Sequence, residues 1–175
     1  MTKEIKPLKM KVSGRDIAPE PYHYRACGLD DVFLLNGFER KETAYGHGVA
    51  IHDVEGLHKA IGTHIIVSRR RISAKEVRFL RKLMECTQES LAKALRVDVQ
   101  TVARYEKGES GVSGPADLLI RLLYVLWITP ENRREEVATE IRAILSDEPQ
   151  EDASSPPKNF RHTSEGWNAG ASLTH

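Results

Sequence analysis

Between Ala74 and Trp127 apolar residues recur every three or four positions, a spacing that predicts a run of helices. Val77, Leu80, Leu83 and Met84 make one stripe, Leu91, Ala92 and Leu95 a second, and Val102 lines a third segment. Helix-starting residues precede each stripe: Ser73, with Glu76 completing a capping box, then Thr87 and Asp98. Gly108 is a stop signal behind the third. Pro115, at a first-turn position, opens a strongly apolar helix from Ala116 to Trp127. Its Leu118, Leu119, Leu122, Leu123, Val125 and Leu126 exceed what one buried face needs, which points to a dimer interface, with a monomeric core as the alternative. Thr129 caps a last helix, in which Val137, Ile141, Ile144 and Leu145 repeat at helical spacing.

The N-terminal third has another rhythm. Val32-Phe33-Leu34-Leu35 reads as a buried strand, Asn36-Gly37 as a hairpin turn, and Phe38 to Thr43 as the returning strand. Gly46 and Gly48 break the chain before a further strand, Val49 to His52. Asp53 then caps a helix carrying Val54, Leu57, Ile61 and Ile65. A three-stranded meander plus helix is therefore expected over residues 22–68. Residues 1–21, Lys-rich with Pro7, Pro19 and Pro21, read as a mobile arm that either touches DNA or is a plain tail. Residues 147–175, rich in Asp, Glu, Ser and Pro, read as a disordered tail. No internal repeat is present.

The segment from Thr87 to Gly108 holds two short helices, a tight turn, and polar residues gathered at the start of the second helix. That arrangement places hydrogen-bonding side chains in a DNA major groove. Ala92 is small where two steeply crossing helices must come close. Together with Gln88, Leu91-Ala92, Val102 and the ending Tyr105-Glu106-Lys107-Gly108, the stretch from about Ser73 to Leu126 resembles the Xre/Cro/C1-like family of helix-turn-helix transcriptional regulators. The resemblance implies a helix ahead of the motif, an ion pair from Arg81 to Glu106 as scaffold, and a five-helix lambda-repressor-like DNA-binding domain over residues 69–146. The expected fold class is mainly α, α+β overall. One position departs from the family. The turn usually carries glycine, because a left-handed backbone costs a residue with a side chain roughly 1–2 kcal/mol; here it is Arg96. Either the turn is altered, or Arg96 accepts the strain and gains a phosphate contact.

Within the motif, Gln88 at the start of the first helix suits a phosphate through its backbone N–H, and a base or neighbouring side chain through its amide. Val99, Gln100, Ala103 and Arg104 are expected to face the groove. Gln100 suits the N6/N7 edge of adenine, Arg104 the O6/N7 edge of guanine, and Val99 a thymine methyl. Thr101 and Lys107 are better placed for the DNA backbone, and Arg96 completes the set. A merely solvated helix face is the bland alternative.

Charge sharpens this picture. The net charge of the 175 residues is only +1. Yet Arg69 to Lys107 holds eleven basic and five acidic residues, whereas Thr129 to Asp152 holds three basic and eight acidic ones. A basic centre with an acidic flank fits a DNA-binding module with a partner surface.

Other chemistry is thin. Tyr24-Arg25-Ala26-Cys27-Gly28-Leu29 looks like half of a zinc knuckle, so residues 22–68 resemble a degenerate zinc-finger module of two-domain antitoxins, which bind a toxin and repress their own operons. The first cysteine position is Tyr24 and no second Cys-x-x-Cys follows. His23, Cys27, His47 and His52 could supply four ligands, but at no recognised spacing, and no metal or cofactor is expected. His47, His52, His58 and His64, with Asp53 and Glu55, form no nucleophile elbow, phosphate loop or His-Glu-x-x-His, so no enzyme is expected. Cys86 falls in the loop before the motif, where oxidation would disturb DNA binding unless it is a plain loop residue. No apolar run approaches the roughly 20 residues of a membrane span, no signal peptide is visible, and two cysteines do not make a disulfide framework. The expectation is a cytoplasmic homodimeric repressor of double-stranded DNA. A toxin-binding antitoxin and a pure interaction adaptor are the alternatives.

Overall fold

A computed structural model describes residues 10–12, 15–17, 20–43, 46–133, 135, 137, 139, 142 and 158–169. The chain falls into two compact units, one of Met1–Arg25, Asp30–Leu57 and Pro156–His175, the other of Ala26–Leu29 and His58–Ser155. The mixture of helices with a minor strand component is the α+β class expected.

The first unit holds the strands. A short antiparallel ribbon joins β1 (Met10–Val12) to β2 (Arg15–Ile17), so part of the segment read as a mobile arm has regular pairing. A four-stranded sheet has the order β3 (Tyr22–His23), β4 (Val32–Leu34), β7 (Lys158–Thr163), β8 (Gly166–Ala169). A separate hairpin pairs β5 (Phe38–Thr43) with β6 (Gly46–Ile51), from Phe38 opposite Ile51 to Thr43 opposite Gly46.

This topology corrects the meander. β4 pairs antiparallel with β3 and parallel with β7, not with β5. Asn36-Gly37 is therefore no hairpin turn. Asn36 extends the ladder with its side chain: Nδ2 donates to the His162 carbonyl at 3.0 Å, and Oδ1 accepts from the His162 N–H at 2.6 Å. Gly37 has φ +73°, and a Cβ there would lie 2.7 Å from both His162 and Trp167. Gly46 and Gly48, expected to interrupt the chain, pair within β6. The tail expected to be disordered also differs, since residues 158–169 form β7 and β8. Composition averaged over the tail hid two anchors: Phe160 is fully buried, and Trp167 is buried with its indole N–H on the carbonyls of His52 and Asp53, both at 3.0 Å.

The second unit is helical, and it takes the first helix from His58 onward. Asp53 Oδ1 accepts from the Gly56 N–H at 2.9 Å, as a cap should, ahead of α1 (Val54–Ser68). Then come α2 (Ala74–Leu83), α3 (Gln88–Leu95), α4 (Val99–Lys107) and α5 (Gly114–Ile128). Of the expected stripes, Ile61, Ile65, Val77, Leu80, Leu91, Ala92 and Val102 are at most 1 % exposed, and Ile120 and Tyr124 of α5 join them in the core. Thr129 closes α5, its N–H on the Val125 carbonyl, and the helix expected after it lies largely outside the described residues.

Two buried charge pairs hold the α1–α2 connection. Arg69 Nε donates to Glu76 Oε1 at 2.9 Å, while Glu76 Oε2 accepts from the backbone N–H and hydroxyl of Ser73. Arg121 Nε donates to Asp117 Oδ2 at 2.6 Å, and its two Nη groups donate to the carbonyls of Ile66 and Arg69. Asp117 Oδ1 takes the Ile72 N–H at 2.7 Å. Buried ions survive only when paired and fully bonded, so this lattice pins the chain entering α2 onto α5.

Candidate nucleic-acid interface

The interface is built on α3 and α4. Thr87 Oγ1 accepts from the Ser90 N–H at 3.0 Å and starts α3; Asp98 Oδ1 accepts from the Gln100 N–H at 2.7 Å and starts α4. Between them Arg96 is left-handed, at φ 55° and ψ 43°. Its N–H returns to Lys93 O and that of Val97 to Ala92 O, so the usual turn geometry is kept with arginine in the glycine position. Glu85, between α2 and α3, is also left-handed at φ 56°. Gly108 closes α4 in the same conformation at no side-chain cost.

α4 has two faces. Val102 and Tyr105 are buried, whereas Val99, Gln100, Arg104 and Lys107 are exposed, with Thr101 and Ala103 half-buried. Gln100, Arg104 and Lys107 follow at i, i+4 and i+7 and so share a stripe. Among the described residues, the side chains of Gln100, Arg104 and Arg96 make no hydrogen bond or ion pair. Lys107 has an exposed partner, Glu109 at 3.7 Å, a contact of little energetic weight.

The local charge survives folding. Arg69–Glu76 and Arg81–Glu106 neutralise each other in pairs. That leaves Arg70, Arg71, Lys75, Arg78, Lys82, Lys93, Arg96, Arg104 and Lys107 exposed, against Glu85, Glu89 and Asp98. Nine cations against three anions within residues 69–107 make a field that attracts polyanions.

Gln88 bonds a neighbouring side chain, one of the two partners the sequence offered its amide. Its Nε2 donates to Glu106 Oε2 at 2.9 Å. Arg81 grips the same carboxylate, Nε to Oε1 at 2.5 Å and Nη2 to Oε2 at 3.0 Å, and donates from Nη1 to the Cys86 carbonyl at 2.8 Å. Burial pushes the Glu106 carboxyl up, but the bonds from Arg81 and Gln88 outweigh it and hold the group below its ordinary range. The bond to Glu106 raises Arg81 in turn. The ion pair implied by the family resemblance is present, and of the two partners open to the Gln88 amide, a base or a neighbouring side chain, the fold supplies the second in Glu106.

A helix-turn-helix family model matches residues 77–115, which run from α2 into the first turn of α5. No curated protein and no solved structure matches the chain. The chain thus contains a helix-turn-helix of the kind used by DNA-binding regulators. Nothing supports the zinc-finger likeness of the N-terminal module: among the described residues no group of His, Cys, Asp and Glu could hold a metal ion. Among the same residues no helix is long and apolar enough to cross a membrane.

Proposed function

We propose that this chain is a sequence-specific transcriptional regulator that binds double-stranded DNA as a homodimer and represses by occupying its site. The observation that carries this reading is the unpartnered stripe of Gln100 and Arg104 on the exposed face of α4, set among nine exposed cations. Gln100 reads an adenine edge, Arg104 a guanine edge and Val99 a thymine methyl, while the small Ala103 lets the helix approach the bases. Thr101, Lys107, Arg96 and the α3 start at Gln88 hold phosphates and fix the register.

The dimer reading rests on α5. Leu126 is 60 % and Leu119 38 % exposed, and Leu122 and Leu123 between them are half-buried. These leucines make an apolar strip that a second copy would cover. Two recognition helices then meet half-sites about one helical turn apart, roughly 34 Å.

Fluorescence anisotropy against the DNA upstream of its own gene and a scrambled duplex, at two salt concentrations, tests the reading. Tighter binding to the upstream DNA, abolished by Gln100→Ala with Arg104→Ala, supports it. Equal binding to both duplexes that vanishes with salt sinks it for that DNA.

A further inference from the structure

We infer that Glu106 is a positioning residue for DNA recognition, which sets the orientation of the Gln88 amide at the start of α3 and so the phosphate contact made there. The inference rests on the DNA-binding reading above.

Gln88 is the first residue of α3, Glu106 lies in the last turn of α4, and Arg81 lies in α2. The Glu106 carboxylate is 5 % exposed and the Arg81 side chain 13 %. Both carboxylate oxygens are engaged by Arg81, so the group cannot rotate away. A carboxylate has no N–H and only accepts. The Gln88 amide must therefore turn its nitrogen toward Glu106, as the 2.9 Å bond shows. Its second N–H and its carbonyl are left for an outside partner.

An unheld glutamine would have to be ordered on binding, at a cost in side-chain entropy. Here the ordering is done by the fold. Because the acceptor belongs to α4, the phosphate-holding amide is referenced to the helix that carries Gln100 and Arg104. A phosphate contact and the base contacts are thereby kept in one register.

The test is methylphosphonate scanning of the bound duplex, in which single phosphates lose their charge. For the wild type, neutralising the phosphate at the α3 start is expected to weaken binding roughly tenfold, the effect of losing one charge-assisted hydrogen bond. Gln88→Met, which keeps the backbone N–H but not the amide, should lose most of that sensitivity. The double variant Arg81→Met/Glu106→Met should lose it too, although Gln88 is intact. Both members of the ion pair go together there, so neither charge is left buried alone. Glu106→Gln keeps a carbonyl acceptor and should retain the sensitivity. A purely structural role would weaken binding to every duplex alike and leave the scan unchanged. Retained sensitivity in a folded double variant would overturn the inference, and so would its loss in Glu106→Gln if that variant is folded. If the double variant does not fold, the additivity of Gln88→Met with Glu106→Gln decides. Independent, additive losses at that phosphate overturn the inference, while retention in Glu106→Gln and loss in Gln88→Met support it. Wild-type protein that shows no duplex preference at all would instead overturn the DNA-binding reading.

Discussion

Tyr124 lies against the bare backbone of Gly62: a Cβ on that glycine would come within 2.5 Å of the tyrosine hydroxyl oxygen. The hydroxyl donates to the Lys59 carbonyl at 2.7 Å and stands 3.4 Å from Thr63 Oγ1. Burial, partly offset by Thr63, pushes the phenol up to about 12. The contact seats α1 on α5, beside the Arg121 lattice, outside the region that the helix-turn-helix family model covers.

Gly62→Ala is therefore expected to destabilise the second unit, although alanine is the better helix former. Overpacking costs about 1–3 kcal/mol, and the propensity gain returns at most about 1 kcal/mol. A denaturant midpoint equal to or above the wild type would show that α1 shifts to make room.

Arg96→Gly separates stability from function. Relief of the left-handed backbone should raise stability by about 1 kcal/mol. The same change should lower DNA affinity and reduce the salt slope by about one counterion. A thermal melt and a salt titration read both; gain of stability with unchanged slope removes Arg96 from the phosphate contacts.

Arg104→Ala should cost roughly 1–3 kcal/mol on the specific site and much less on random duplex. Equal losses on both would assign Arg104 to the DNA backbone.

The Glu106 carboxyl is held below its ordinary value of 4.5 in the fold. A depressed folded value means stability that is fully present above the unfolded value and lost as pH falls through the folded one. Melting temperature should accordingly drop below about pH 4.5, and part of that drop should disappear in Glu106→Gln. A variant with the same acid limb as the wild type would place the loss on other carboxylates.

Trp167→Ala should cost the first unit about 3 kcal/mol or more, as removal of a buried tryptophan does. Hydrogen exchange should then show the amides of β4 losing protection, because β7, held in place by β8, no longer pairs beside them. Unchanged exchange in β4 would mean that this pairing contributes little to the unit.

Legibility followed interaction range. Thr87, Asp98 and Gly108 were readable as caps because each acts on N–H and carbonyl groups within a few residues. The exposed stripe of Gln100 and Arg104 followed from 3.6-residue periodicity once Val102 was placed inside. Asp117 and Arg121 carried a signal that went unused: an i,i+4 pair of opposite charges inside an apolar run. The Gln88 amide was legible only as a donor to a base or to a neighbouring side chain, because that neighbour, Glu106, stands 18 residues away on another helix.

What the sequence by itself determined is the set of helices, their ends and the polar face of α4, since these depend on neighbours within one or two turns. The tertiary structure alone decided which strands pair. Asn36-Gly37 has the composition of a hairpin turn, yet its partner is His162, 126 residues away. Strand pairing has no local signature of register, because any extended segment offers the same N–H and C=O groups; burial of Phe160 and Trp167 selects the partner. The same holds for the bond from Gln88 to Glu106, side chains of two helices whose joint geometry exists only after the helices have packed.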